Sequence, residues 1–414
     1  MSFELDCAST MFVLGRNERR NYLIRLSATL HEPIEKETLQ TAVERTIEKY
    51  PYFFIRFAYE QNRLVAKQAK YIPRVREKAN VFCLKPWKGY ENCEAQVTYF
   101  HKTIFLEFFH AVTDGKGGME FLMYLTAEYL SLRYHNENIL HSVPVIPKDK
   151  QTENGYRKYA QGFRAKKSHG AAYQIKGTPA PMAISSYRLS ACEIKQTANK
   201  YGVSVTEFMA ALLCTALSNI QKETCAVHRQ KKIRLLVPVN LRTRFHCNTT
   251  RNFTLNVCPE LDPAEAGDLS GICMKFHQYM KTATEPEQLA GQCAAAATAC
   301  DCGFVKILPV SVKKWLVQTA LDLPLASSSM TFSNMGAAPW PEELKTHVDE
   351  LELTFSPKPE APYSCSAITV NDKMRLIFLR TVKEPMLEAQ LERLLRNLKI
   401  GFKKIDPSMI KEAI

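Results

Sequence analysis

Phe108-Phe109-His110-Ala111-Val112-Thr113-Asp114-Gly115-Lys116-Gly117-Gly118 marks an abrupt change of pattern. Before it, Gln96 to Phe109 reads as two apolar strands joined through His101-Lys102. After it, Phe121, Leu122, Leu125 and Tyr129 form an apolar stripe, which predicts a helix over about Gly118 to Tyr134. A strand that hands over to a helix presents its turn residues at the end of a sheet. Histidine is the side chain whose free pKa lies nearest neutrality, so His110 reads as a base for a hydroxyl, amine or thiol attacking a carbonyl. The plain alternative is an inert turn histidine. Asp114 either orients the imidazole or holds the turn by pairing with a cation elsewhere. Across such a junction a spacing of four does not bring carboxylate to imidazole as it would on one helix. Gly115, Gly117 and Gly118 read as residues admitting positive φ and the close approach of a ligand. A phosphate loop is disfavoured, because Gly-x-x-x-x-Gly-Lys-Ser/Thr is missing.

Outward from this junction, Tyr22 to Leu30 reads as a strand, followed by a helix opened by Pro33 and carrying Leu39, Val43, Ile47 and Tyr50. Phe53 to Tyr59 and Leu64 to Gln68 supply further strands. Ser142 to Pro181 is rich in proline and lysine and reads as a connecting segment. The second half starts near Ile184. It has helical spacing over Ser190 to Tyr201 and Val205 to Ile220, and strands over Ile233 to Val239 and Asn252 to Cys258. Glu287 to Lys314 is helix-rich and contains the alanine run 294 to 297. Met330 to Asn334 looks like a strand end, Ser364 to Leu379 a hairpin around Asn371-Asp372, and Pro385 to Leu398 a closing amphipathic helix. The expected class is α/β, with two similar-sized layers of mixed sheet and helix side by side.

The chain has 414 residues, 46% apolar and 23% charged, enough for two domains of common size. Its longest apolar stretch, Phe208 to Leu217 apart from Thr215, is about half of the roughly 20 residues a spanning helix needs. The N-terminus lacks the pattern of a secretion signal, so a cytoplasmic protein without integral membrane association is expected. Thirteen cysteines without a regular framework then read as reduced thiols. Cys293, Cys300 and Cys302 in the alanine-rich region, Cys225 with His228, and His246 with Cys247 do not form paired zinc motifs, so no metal is expected. There is no Gly-x-Ser-x-Gly elbow for a serine hydrolase. The net charge of +13 points to anionic partners. Short basic groups such as Arg164 to Lys167 and Arg229 to Arg234 do not make a nucleic-acid-binding module.

Phe-His110-Ala-Val-Thr-Asp114-Gly115 resembles the His-x-x-x-Asp-Gly motif of the chloramphenicol acetyltransferase-like superfamily, which includes alcohol acyltransferases and peptide condensation domains. Val237-Pro-Val-Asn240-Leu-Arg242 resembles that family's strand ending in Asn/Asp-Leu-Arg, and Phe332-Ser333-Asn334-Met335-Gly336 its Ser-Asn-x-Gly strand end. Glu44 to Phe53 is similar to the family's first helix and following strand. Two departures stand out. The first of two adjacent histidines is Phe109 here, and the Asp-Phe-Gly-Trp-Gly of the plant members is missing, while Ser333-Asn334-Met335-Gly336 in a comparable late position points to the microbial alcohol acetyltransferase-like group. The resemblance implies two such subdomains, residues 1–165 carrying His110 and residues 183–414, with a tunnel between them. It also implies that His110 is the base, that Asp114 pairs with Arg242, and that Ser333 or Asn334 lies near the developing oxyanion. No cofactor would be bound. The co-substrate would be an acyl-CoA or acyl carrier thioester, the second substrate a small-molecule alcohol or amine. Alternatives are a stand-alone condensation-type amide synthase and a noncatalytic binding protein.

Overall fold

In the computed structural model, residues 2–60, 63–78, 93–162, 170–265, 267–301, 308–322 and 327–405 are described. The basic group Arg164 to Lys167 and Cys302 lie outside them. Strands Leu23–Leu30, Thr103–Phe109 and Ala95–Phe100 pair antiparallel, and the last two turn at His101, whose φ is 50°. Their side chains are buried almost without interruption, because helix Gly115–Tyr134 covers one face. Gly118 lets that helix approach: a Cβ there would come within 2.6 Å of the Phe108 ring and 2.8 Å of Leu26. Arg25 meets Glu107 in the same sheet, its Nε donating to Oε1 over 2.8 Å.

The rear sheet has eight strands. Met330–Ala337 lies in it parallel to both Ile233–Asn240 and Tyr363–Val370. Tyr363–Val370 and Lys373–Val382 form the expected hairpin, and Asn371 and Asp372 both take positive φ (48° and 60°), as a tight hairpin turn requires. Helix Val205–Thr224 starts with a capping box in which Ser204 and Glu207 satisfy each other's backbone N–H groups. It packs against the sheet beside Met386–Asn397, whose Leu387, Leu391 and Leu395 are buried at helical spacing. A third sheet joins Ser2–Glu4, Arg63–Gln68 and Ile55–Glu60. Mixed sheets flanked by helices are thus present, as the α/β reading expects. No single helix among the described residues is long and apolar enough to cross a membrane.

Three expectations need correction, and one expected boundary is crossed by a strand. The long helix begins at Gly115, not Gly118, because Asp114 caps it by accepting from Gly117 N–H at 3.0 Å. The division into 1–165 and 183–414 is crossed by strand Val348–Phe355, which pairs antiparallel with Leu23–Leu30 in the front sheet. The segment after Ser142 is more than a connector: Tyr156 packs on Phe253 and its hydroxyl donates to the Thr254 carbonyl at 2.6 Å. Finally, Arg234 is buried against Glu260 and carbonyls of Gly170 and Ser327, so it adds nothing to a basic surface.

Candidate active site

His110 follows directly on the last residue of strand Thr103–Phe109, and its N–H donates to the Tyr22 carbonyl at 2.9 Å. Its ring Nδ1 lies 3.2 Å from the Thr113 carbonyl oxygen and 3.0 Å from Asn252 Oδ1. Asn252 Nδ2 donates to the His110 carbonyl at 2.8 Å, which fixes the amide so that its oxygen faces the imidazole. With two oxygen acceptors around it, Nδ1 carries the proton and Nε2 keeps its lone pair. The tautomer is therefore assigned from the partners. Phe12 stacks on the ring at a centroid distance of 4.2 Å. Burial pulls the imidazole pKa below its usual value, with Asp114 and the oxygens at Nδ1 partly opposing, so the ring is neutral at pH 7.

Asp114 does not touch His110. Its Oδ2 accepts from Arg242 Nη1 at 2.9 Å and from the Phe253 N–H at 2.8 Å. Arg242 is buried too, and its other N–H groups go to Asn240 Oδ1 (3.2 Å) and the carbonyls of Thr249 (2.7 Å) and Arg251 (2.6 Å). Although burial pushes the Asp114 carboxyl up, the Arg242 guanidinium and these hydrogen bonds hold it below the usual carboxylate range. Every polar atom of the pair is thus engaged, which a buried ion pair needs to repay desolvation. The front loop 110–114 and rear loop 240–253 are locked together, and Asn252 reaches His110 from that rear loop.

Two groups at this site carry no local sequence signal. Asn252 is one. The other is helix Cys7–Gly15, capped by Asp6, which supplies Phe12 and whose Ser9 hydroxyl donates to the Ala111 carbonyl at 2.8 Å. Arg251 Nε donates to Asp6 Oδ2 at 2.9 Å, so the N-terminal helix is tied to the same rear loop.

His110 lines a cavity of about 1120 Å³. Its walls come from helices Cys7–Gly15, Pro286–Asp301 and Val310–Asp322, from strand Thr254–Val257, and from Asn154, Tyr156 and Arg157. Among the described residues nothing pairs with Nε2. Cys7 and Cys300 are also on the wall, but the Cys300 side chain beside it, together with burial, pushes the Cys7 thiol far up, away from a thiolate nucleophile. No three of His, Cys, Asp and Glu are grouped to hold a metal among the described residues, the pairs Cys225–His228 and His246–Cys247 included.

No family model and no curated protein matches the sequence. Solved structures do match. TRI101 of F. sporotrichioides, complexed with coenzyme A and T-2, aligns over 98% of this chain and 100% of its own at 12% identity and a TM-score of 0.68. TRI3 trichothecene 15-O-acetyltransferase from Fusarium sporotrichioides aligns over 95% of this chain and 94% of its own, at 12% identity and TM-score 0.62. The first condensation domain of the calcium-dependent antibiotic synthetase aligns over 96% of each chain, at 14% identity and TM-score 0.64. The chain shares the fold of these structures.

Ser333 and Asn334 lie on the parallel strand Met330–Ala337, and neither is on the wall of the His110 cavity. Both ends of the Asn334 amide are taken: Nδ2 donates to Thr206 Oγ1 at 3.1 Å and Oδ1 accepts from the Gly336 N–H at 2.9 Å. Gly336 turns with φ 69°, which explains glycine there. Gly115, Gly117 and Gly118 do not have positive φ, and protein atoms crowd them rather than a ligand. A Cβ on Gly115 would lie 3.0 Å from Met335 Sδ, and one on Gly117 2.5 Å from the Thr250 carbonyl oxygen. The His110–Asp114 loop is thus packed against both rear motifs.

Proposed function

We propose that this chain is an acyltransferase that moves an acyl group from a coenzyme A or carrier-protein thioester to a hydroxyl or amine acceptor, with His110 as general base. In this reading the two halves are acetyltransferase-like subdomains and the cavity is part of the passage between them. The acceptor's O–H or N–H gives its proton to Nε2 while its heteroatom attacks the thioester carbonyl. The tetrahedral oxyanion collapses, the C–S bond breaks, and the imidazolium returns the proton to the leaving thiolate. No acyl-enzyme forms.

The observation that carries this reading is an imidazole with Nδ1 pinned by two oxygens and Nε2 unpaired on a cavity wall. The same two oxygens stabilise the imidazolium when it forms, the task a triad carboxylate performs elsewhere. Asp114 and Arg242 act as positioning residues that hold both loops. Ser333, on the strand whose Met335 abuts Gly115, is the oxyanion candidate on the motif resemblance. Asn334 is spoken for by Thr206 and Gly336. The net charge of +13 attracts the phosphates of coenzyme A or an acidic carrier.

Thiol release, followed over a panel of acyl-CoA donors with alcohol and amine acceptors, tests the proposal. Acceptor-dependent release with a matching acylated product supports it. No acceptor-dependent release with any pair, from protein that melts cooperatively, overturns it.

A further inference from the structure

The cavity that His110 lines is larger than the roughly 300–1,000 Å³ of sites for drug-sized ligands. Its wall is mainly apolar, with Leu5, Phe12, Leu64, Leu255 and Val317 facing it. Besides the neutral His110, the ionisable Lys, Arg and Glu side chains there are Glu4, Arg63, Arg157 and Lys313. Glu4 lies between two of these cations, 3.4 Å from Arg63 and 3.8 Å from Arg157. Such a wall suits hydrocarbon far better than the phosphates of a nucleotide. A molecule that donates a hydrogen bond to Nε2 from the cavity side packs against this wall. The alanine run, otherwise without a task, has Ala296 and Ala297 on the wall, where larger side chains would take up room.

We propose that this cavity is the acceptor site, and that the acceptor is a bulky, predominantly apolar molecule presenting one hydroxyl or amine to His110. Ala296 and Ala297 are its specificity-determining residues. The proposal rests on the acyltransferase reading for the word acceptor, but apolar binding itself does not require turnover.

Two measurements keep the two claims apart. The first titrates the uncharged fluorophore N-phenyl-1-naphthylamine into wild type, Ala297→Phe and Ala320→Phe. Ala320 is exposed on helix Val310–Asp322 and also lines the cavity, so filling it there puts little strain on the fold. Saturable binding by wild type, weakened about tenfold or more in the variants at unchanged melting temperature, is expected. The second compares KM values for 1-decanol, ethanol and decanoyl-CoA. Ala297→Phe is expected to raise KM for 1-decanol about tenfold and to leave ethanol and decanoyl-CoA within about twofold. Unsaturable probe binding, or binding unchanged in both variants, overturns the apolar site. A KM increase for decanoyl-CoA with none for 1-decanol would overturn its assignment to the acceptor. Probe binding without any acyl transfer would sink the acyltransferase reading while leaving the apolar site standing.

Discussion

Three residues read from the sequence, His110, Asp114 and Arg242, come together, with the ion pair at 2.9 Å. The group that sets the imidazole tautomer, Asn252, is 142 residues from His110 and was legible only as part of a strand. A side chain's partner across the fold leaves no trace in local spacing. Asn252→Ala is expected to lower kcat about fivefold, the loss of roughly 1 kcal/mol of hydrogen bonding, with little change in KM. An unchanged kcat would remove Asn252 from the account. The pH profile follows from the direction of the His110 shift. Burial lowers its pKa, so the unprotonated base persists to lower pH. The acid limb of kcat/KM should then lie below about 6.5, the ordinary imidazole value. A limb at or above that value contradicts a buried base. Arg242→Ala strands a buried carboxylate and should cost about 3–5 kcal/mol in urea unfolding. Lysine should not restore it, because the guanidinium reaches four oxygens at once.

At the scale of elements, apolar periodicity located the strands and helices that meet in the core, including the Asn371-Asp372 hairpin and the closing helix. It failed where an element faces two environments. In Val348–Phe355, Leu351, Leu353 and Phe355 alternate with Glu350, Glu352 and Thr354, a half-buried strand pattern that was there to be read. Its acidic face is turned inward: Glu350 and Glu352 pair with Arg375, and Glu350 also with Arg188, on strands of the rear sheet. The glycine turn differs from its sequence pattern for a related reason, since crowding by the Thr250 loop cannot be seen from residues 115–118 alone. Gly117→Ala weighs two effects against each other. Helix propensity would gain about 1 kcal/mol, but a Cβ 2.1 Å from Thr113 Oγ1 and 2.5 Å from a backbone oxygen overpacks the junction by about 1–3 kcal/mol. Net destabilisation in urea unfolding is expected, and a more stable variant would contradict the close approach.

For the molecule as a whole, the two halves are interleaved. The front core includes Trp340, Leu344, Val348, Leu351 and Leu353 from the rear half of the chain. A fragment of residues 1–165 lacks these and exposes the edge of Leu23–Leu30, so it should aggregate when expressed alone and be rescued by co-expression with 183–414. A soluble, cooperatively melting 1–165 would contradict that. The interleaving also bears on the proposed catalysis, because His110 comes from the front half while Asn252 and Arg242, which hold its ring and its loop, come from the rear. Comparing acceptor-dependent thiol release by wild type and His110→Ala tests this directly. A fall of about 10²- to 10⁴-fold at unchanged melting temperature is expected, whereas equal rates would contradict His110 as the base.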